Sequence, residues 1–291
     1  MSPNDNNTLK KNFDFLLLKR ELINSLTIGS FDAFFSILSK ENNLPETLDL
    51  PAVFESITGR FPAKDYLPDF ALFCRCFAKY TCVTPPETFF SSPLARDGIS
   101  KIVYLQNFFS DRAYNIFSKA LHGASASYLP GFHEICEEVY YERCDYAIFP
   151  IYTSREGQLI SFRKMISKYD LQIVLECDIE TNDETVLRFA LVTKGAGDPS
   201  FMNPSYDKCR FMDVSIVPNE DPHIAEIFLS LDALGAKVIS VNSIPLEYLN
   251  DKYSFDIQLD IENASLKAIL TFFEASHLRY DIAGIFDIAH A

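Results

Sequence analysis

From Ser100 onward, short runs of β-branched and aromatic residues alternate with amphipathic stretches of helical period, which restricts the chain to a sheet with helices laid against it. Strands are expected at 101–105 (KIVYL), 126–129, 146–151 (YAIFPI), 171–179 and 186–193 (VLRFALVT), and helices at 111–121, 132–142 and 159–168. This alternation predicts a mostly parallel sheet. After a breaker-rich stretch at 195–208 comes the order strand 211–217, helix 222–234, strands 237–243 and 253–261, helix 266–276 and strand 279–288. Such a β-α-β-β-α-β order is ferredoxin-like.

Residues 8–95 read differently. Leu9, Phe13, Leu16, Leu17, Ile23 and Leu26 form a helical stripe, with a break expected at Gly29. Short helices follow at 31–38, 52–57 and 70–80, then a linker through Pro85-Pro86 and 91–98. Three segments are therefore expected: a helical domain at 1–95, an α/β domain at 99–195 and a ferredoxin-like domain at 208–291.

A formal charge of −14 argues against nucleic acid and anionic membranes as partners, both of which attract basic surfaces. In the sequence no apolar run stands out at the ~18 residues a membrane span needs, and the polar start lacks a secretion signal, so a cytoplasmic protein is expected. The seven cysteines lack C-x-x-C spacing and read as free, buried thiols. His122, His133, His223, His277 and His290 are dispersed, so no metal or cofactor is expected.

The segment 129–159, LPGFHEICEEVYYERCDYAIFPIYTSREGQL, resembles the most recognisable part of the prephenate dehydratases. Asp145, Tyr146, Ala147, Pro150, Ile151, Ser154 and Gly157 stand where that family has "aDyavvPiENSxxGxV". Leu187-Arg188-Phe189 resembles its Thr-Arg-Phe motif, and 222–245, ending in Asn242-Ser243-Ile244-Pro245, resembles its C-terminal ACT regulatory domain. The resemblance implies a helical region, a single lobe of periplasmic-binding-protein type and an ACT domain. It also implies vestigial substrate contacts at Ser110, Ser154, Gly157, Arg188 and Phe189. Effector contacts are implied at His223, Ile224, Ala225, Asn242, Ser243 and Pro245.

The departures from the family pattern point away from dehydration. Leu187 replaces the threonine credited with helping the hydroxyl leave, and an alkyl group cannot donate a proton. Tyr152-Thr153 replaces Glu-Asn, and the glycine-rich opening is Gln106-Asn107-Phe108-Phe109-Ser110. The family inserts a second lobe before Thr-Arg-Phe, needing on the order of 50 residues or more at ordinary domain sizes. Here eleven residues separate Glu176 from Arg188.

The expectation is a non-catalytic relative with no catalytic residue, regulatory or scaffolding in phenylalanine biosynthesis. It would form a homodimer through the ACT domain, or engage an aromatic-pathway enzyme, with an amino acid as effector. The alternatives are dehydratase or chorismate mutase activity, the latter on helices at 1–95, with a site completed by another subunit, and an amino-acid sensor.

Overall fold

A computed structural model describes residues 3–40, 49–62, 66–81, 99–195, 209–218, 224–245 and 253–289. The elements are α1 (Pro3–Lys40), α2 (Leu50–Thr58), α3 (Leu67–Tyr80), β1 (Ser100–Tyr104), α4 (Phe108–Ala120), β2 (Ala124–Tyr128), α5 (Phe132–Tyr140), β3 (Tyr146–Thr153) and β4 (Gly157–Gln158). They continue with α6 (Ile160–Lys168), β5 (Leu171–Glu180), β6 (Val186–Lys194), β7 (Phe211–Val217), α7 (Ile224–Leu234), β8 (Lys237–Pro245), β9 (Tyr253–Asp260), α8 (Leu266–Ala275) and β10 (Arg279–Ala289). The chain forms two compact units: one of helices α1–α3 with α7 and α8, the other of the strands with α4–α6.

In the helical unit α3 is central, touching α1, α2, α7 and α8. Its phenylalanines explain this. Phe73 meets Phe31, Phe35 and Phe54 at ring separations of 5.3, 4.9 and 5.5 Å, while Phe70 meets Phe272 of α8 at 6.4 Å. Aromatic rings packed edge-on bury large apolar area with favourable quadrupole contacts. Arg75 donates to the Ala233 carbonyl at 3.0 Å, in the last turn of α7, where a helix leaves carbonyls unpaired.

Two expectations are corrected in α1. The helix runs unbroken through Gly29, since one glycine costs about 1 kcal/mol and the flanking turns supply more than that. Its segment Leu22–Lys40 is also long and apolar enough to cross a membrane, by length and composition. Phe31 and Phe35 are buried, whereas Leu22, Ile23, Leu26 and Ile37 are exposed.

The other unit holds one ten-stranded sheet in the order β2-β1-β3-β6-β5-β10-β7-β9-β8, with β4 paired to the end of β3. The expected parallel dominance is corrected: the sheet is mixed. β1 pairs parallel with β2 and β3, and β5 with β10. By contrast β6 runs antiparallel between β3 and β5, as does β7 between β10 and β9. The reason is the short connection 181–185 from β5 to β6, which permits an antiparallel neighbour; a parallel one would need a crossover. The last four strands have the order β10-β7-β9-β8, which is the arrangement of a ferredoxin-like β-α-β-β-α-β chain.

Side chains from alternate strand positions fill two cores. Ile102, Leu175, Phe189 and Leu191 lie with Ala113 and Phe117 of α4 on one face. On the other, Val103, Phe149, Ile173 and Ala190 lie with Ile135 of α5 and Ile166 of α6. The six described cysteines are buried and form no disulfide, and burial pushes the Cys136 and Cys177 thiols up to about 12, out of the range of a thiolate nucleophile.

At Gly284, β10 passes so close to β5 that a Cβ would fall 2.4 Å from the Ile173 carbonyl oxygen. Glycine is the residue that permits such an approach.

Candidate functional site

At the start of α4, the Asn107 side chain accepts from the Phe109 and Ser110 amides at 3.0 and 2.9 Å. Its Nδ2 donates to Ser110 Oγ at 2.9 Å. Free amides at a helix start are donors for an anion. Here the side chain takes two of them, and Ser110 is buried within the cap. Nearby, the Tyr104 hydroxyl donates to Asp111 at 2.9 Å, and burial raises this phenol far above neutrality.

Ser154 and Gly157 shape the far side. Ser154 accepts from the Val186 amide at 3.0 Å and its own amide donates to the Val186 carbonyl at 2.9 Å, fastening β3 to β6. Gly157 takes φ +79, a left-handed conformation suited to glycine, in the β3–β4 turn. Between these features opens a mouth of about 610 Å³, bordered by Phe109, Arg112, Thr153, Arg155, Asp183 and Leu187.

The mouth's two guanidinium groups have partners. Arg112 donates to the Glu180 carbonyl at 2.9 Å, and Arg155 pairs with Asp183. Hydrogen bonds from Thr181 and Thr185 hold the Asp183 carboxyl below its usual range. Leu187 lines the mouth with a hydrocarbon side chain where the resemblance implies a threonine hydroxyl. The mouth presents guanidinium groups and hydroxyls beside the carboxyl groups of Glu156 and Asp183, with no imidazole among its lining residues.

Arg188 belongs to the opposite face of the sheet. Its strand neighbours are Asp178 of β5 and Tyr152 of β3, directly across in register. It donates to both oxygens of Asp178, at 2.7 and 2.9 Å, and lies 5.8 Å from the Tyr152 ring centre. The pair raises the Arg188 pKa further. Its Nη1 also approaches the fully buried Glu176 at 3.6 Å, and Arg163 of α6 approaches that carboxyl at 3.9 Å. Neither contact reaches hydrogen-bond distance. Burial, followed by repulsion from Asp213, outweighs both cations and raises Glu176 to about 8. Arg163 in turn pairs with Asp213 of β7. Sequence reading missed this chain of charges, because Arg163, Glu176 and Asp213 lie far apart in sequence and each sits in an ordinary amphipathic pattern.

Phe189 is buried in the α4-side core. Ile224 and Ala225 open α7 in the helical unit, whereas Asn242, Ser243 and Pro245 lie on β8. His223 lies outside the described residues.

The sequence matches no protein-family model and no curated protein. Similar folds occur among solved structures. The prephenate dehydratase from Streptococcus mutans matches over 66% of this chain and 100% of its own, at 17% identity and a TM-score of 0.54. A protein described as GqqA, a novel type of quorum quenching acylase, matches over 67% of this chain and 97% of its own, at 17% identity and a TM-score of 0.52. The mixed α/β fold of this chain is thus similar to that of prephenate dehydratase, and at such identity the likeness concerns the fold.

Proposed function

We propose that this chain is a non-catalytic prephenate-dehydratase-like protein with a regulatory or scaffolding role in aromatic amino acid biosynthesis. The single observation that carries this is the direct β5–β6 turn. Thr181 donates to the Thr185 carbonyl at 2.9 Å and closes the connection within five residues. In the resembling family that connection holds a second lobe, and substrate lies between lobes. Without it the mouth stays open to water on one side, and the exclusion of solvent that a closing cleft provides is lost within one chain.

Two local features support the same reading. The Asn107 side chain occupies amides that would otherwise meet a substrate carboxylate, and Arg188 is spent on Asp178 and Glu176. Regulation would run through residues 208–291 as an ACT-type domain, which supplies dimer contacts or an amino-acid effector site. Residues 1–95 would act as a docking element.

The test is the purified chain with chorismate and with prephenate, followed by absorbance. Silence on both supports a binding protein, and co-purification with an aromatic-pathway enzyme would identify its partner. Turnover of chorismate alone would assign catalysis to the N-terminal helices.

A further inference from the structure

A second cavity, of about 290 Å³, lies between α6 and the polar face of β7, β9 and β10, away from the mouth described above. Its two walls carry opposite charge. Arg163, Lys164 and Lys168 come from the helix, and Asp213, Asp256 and Asp281 from the sheet. The registers explain the acidic wall. Ser215 pairs with Asp256 on one side and Asp281 on the other, so two carboxylates flank one serine in a single cross-strand row. Asp213 lies two residues along β7, on the same face.

Two atoms at the deep end have unmet hydrogen-bonding capacity. Arg163 and Asp213 pair through Nη1 and Oδ2, leaving Arg163 Nε and Asp213 Oδ1 without a hydrogen-bond partner. Their side chains are 8% and 6% exposed. A buried donor or acceptor left without a partner is costly, because it has given up water without gaining a replacement. An acceptor and a donor side by side, on walls of opposite charge, call for a molecule that carries both a donor cation and an acceptor anion. Burial also pushes Asp256 and Asp281 upward, and Asp213 adds to the effect at Asp256, so a cation here would relieve crowded carboxylates.

We propose that this cavity binds a small zwitterion, its ammonium group set against Asp213 and Asp256 and its carboxylate toward Arg163 and Lys168. Ile244 and Leu171 supply apolar surface for the carbons between them. The site stands on its own geometry and holds whatever becomes of the proposed function.

The test is calorimetric titration of the full chain with glycine, β-alanine, 4-aminobutyrate and 6-aminohexanoate, beside butylamine and butyrate as single-charge controls. At least one of the four is expected to bind with a Kd of about 1 mM or tighter, and both controls at least about tenfold more weakly. Silence from all four overturns the proposal, as does a control that binds equally well. Asp213→Asn leaves Arg163 without its partner and risks unfolding, so the variants are Asp256→Asn and Lys168→Gln. Each is expected to weaken binding about tenfold while the ligand-free melting temperature holds within a few degrees. Undiminished affinity in both variants contradicts the assignment.

Discussion

Arg188 and Asp178 face each other across β6 and β5 and share two hydrogen bonds, at 2.7 and 2.9 Å. A bidentate pair of this kind fixes the guanidinium plane and uses its strongest donors. The same arginine is the nearest cation on β6 to the buried Glu176. Arg188→Ala is therefore expected to cost about 1–3 kcal/mol, below what a broken fully buried pair costs, because Arg188 is 24% exposed. Arg188→Lys should fail to restore it, since an ammonium cannot match both oxygens. Urea midpoints of the two variants check this.

Glu176 gives the pH dependence its sign. Its pKa rises from 4.5 to about 8 on folding, so the folded state holds this proton more tightly than the unfolded chain. The stability it contributes is fully present below about pH 4.5 and is lost as pH rises to about 8, where the loss levels off. Each unit corresponds to roughly 1.4 kcal/mol, so the loss is on the order of a few kcal/mol. Urea midpoints between pH 5 and 8 should fall for the native chain and fall less for Glu176→Gln.

The seam between β5 and β10 rests on Gly284. Alanine there places a methyl group against the Ile173 carbonyl, and overpacking of this kind costs about 1–3 kcal/mol. A lower melting temperature for Gly284→Ala, and none for alanine at the unobstructed Gly29, is the expected contrast.

Much of this fold was legible in the sequence, and particular residues show where legibility ended. Alternation in YSFDIQLD placed β9 to within a residue, because a half-buried strand writes its two faces into consecutive positions. The insertion of β6 between β3 and β5 was not legible, because strand order depends on long-range pairing. Nor was the use of Gly29, whose helical neighbours override its own preference. At the site, Leu187 and Asn107 could be named from sequence. That Arg188 turns to Asp178 on the opposite face from Leu187 required the register.

In the helical unit, Phe73 is fully buried and meets rings from α1, α2 and α3 itself. Phe73→Ala should cost about 3–5 kcal/mol, as for other buried aromatics, with loss of helical circular dichroism on mild heating as the readout.

Under the proposed function, the lobe-less mouth, with Leu187 at its edge, does not dehydrate prephenate. The most direct measurement is the rate of phenylpyruvate formation from prephenate by the purified full chain, at protein concentrations high enough to favour self-association. A rate equal to the buffer blank is expected, for the native chain and for Leu187→Thr alike, because a hydroxyl alone does not rebuild a closed cleft. Protein-dependent phenylpyruvate formation by the native chain would contradict it.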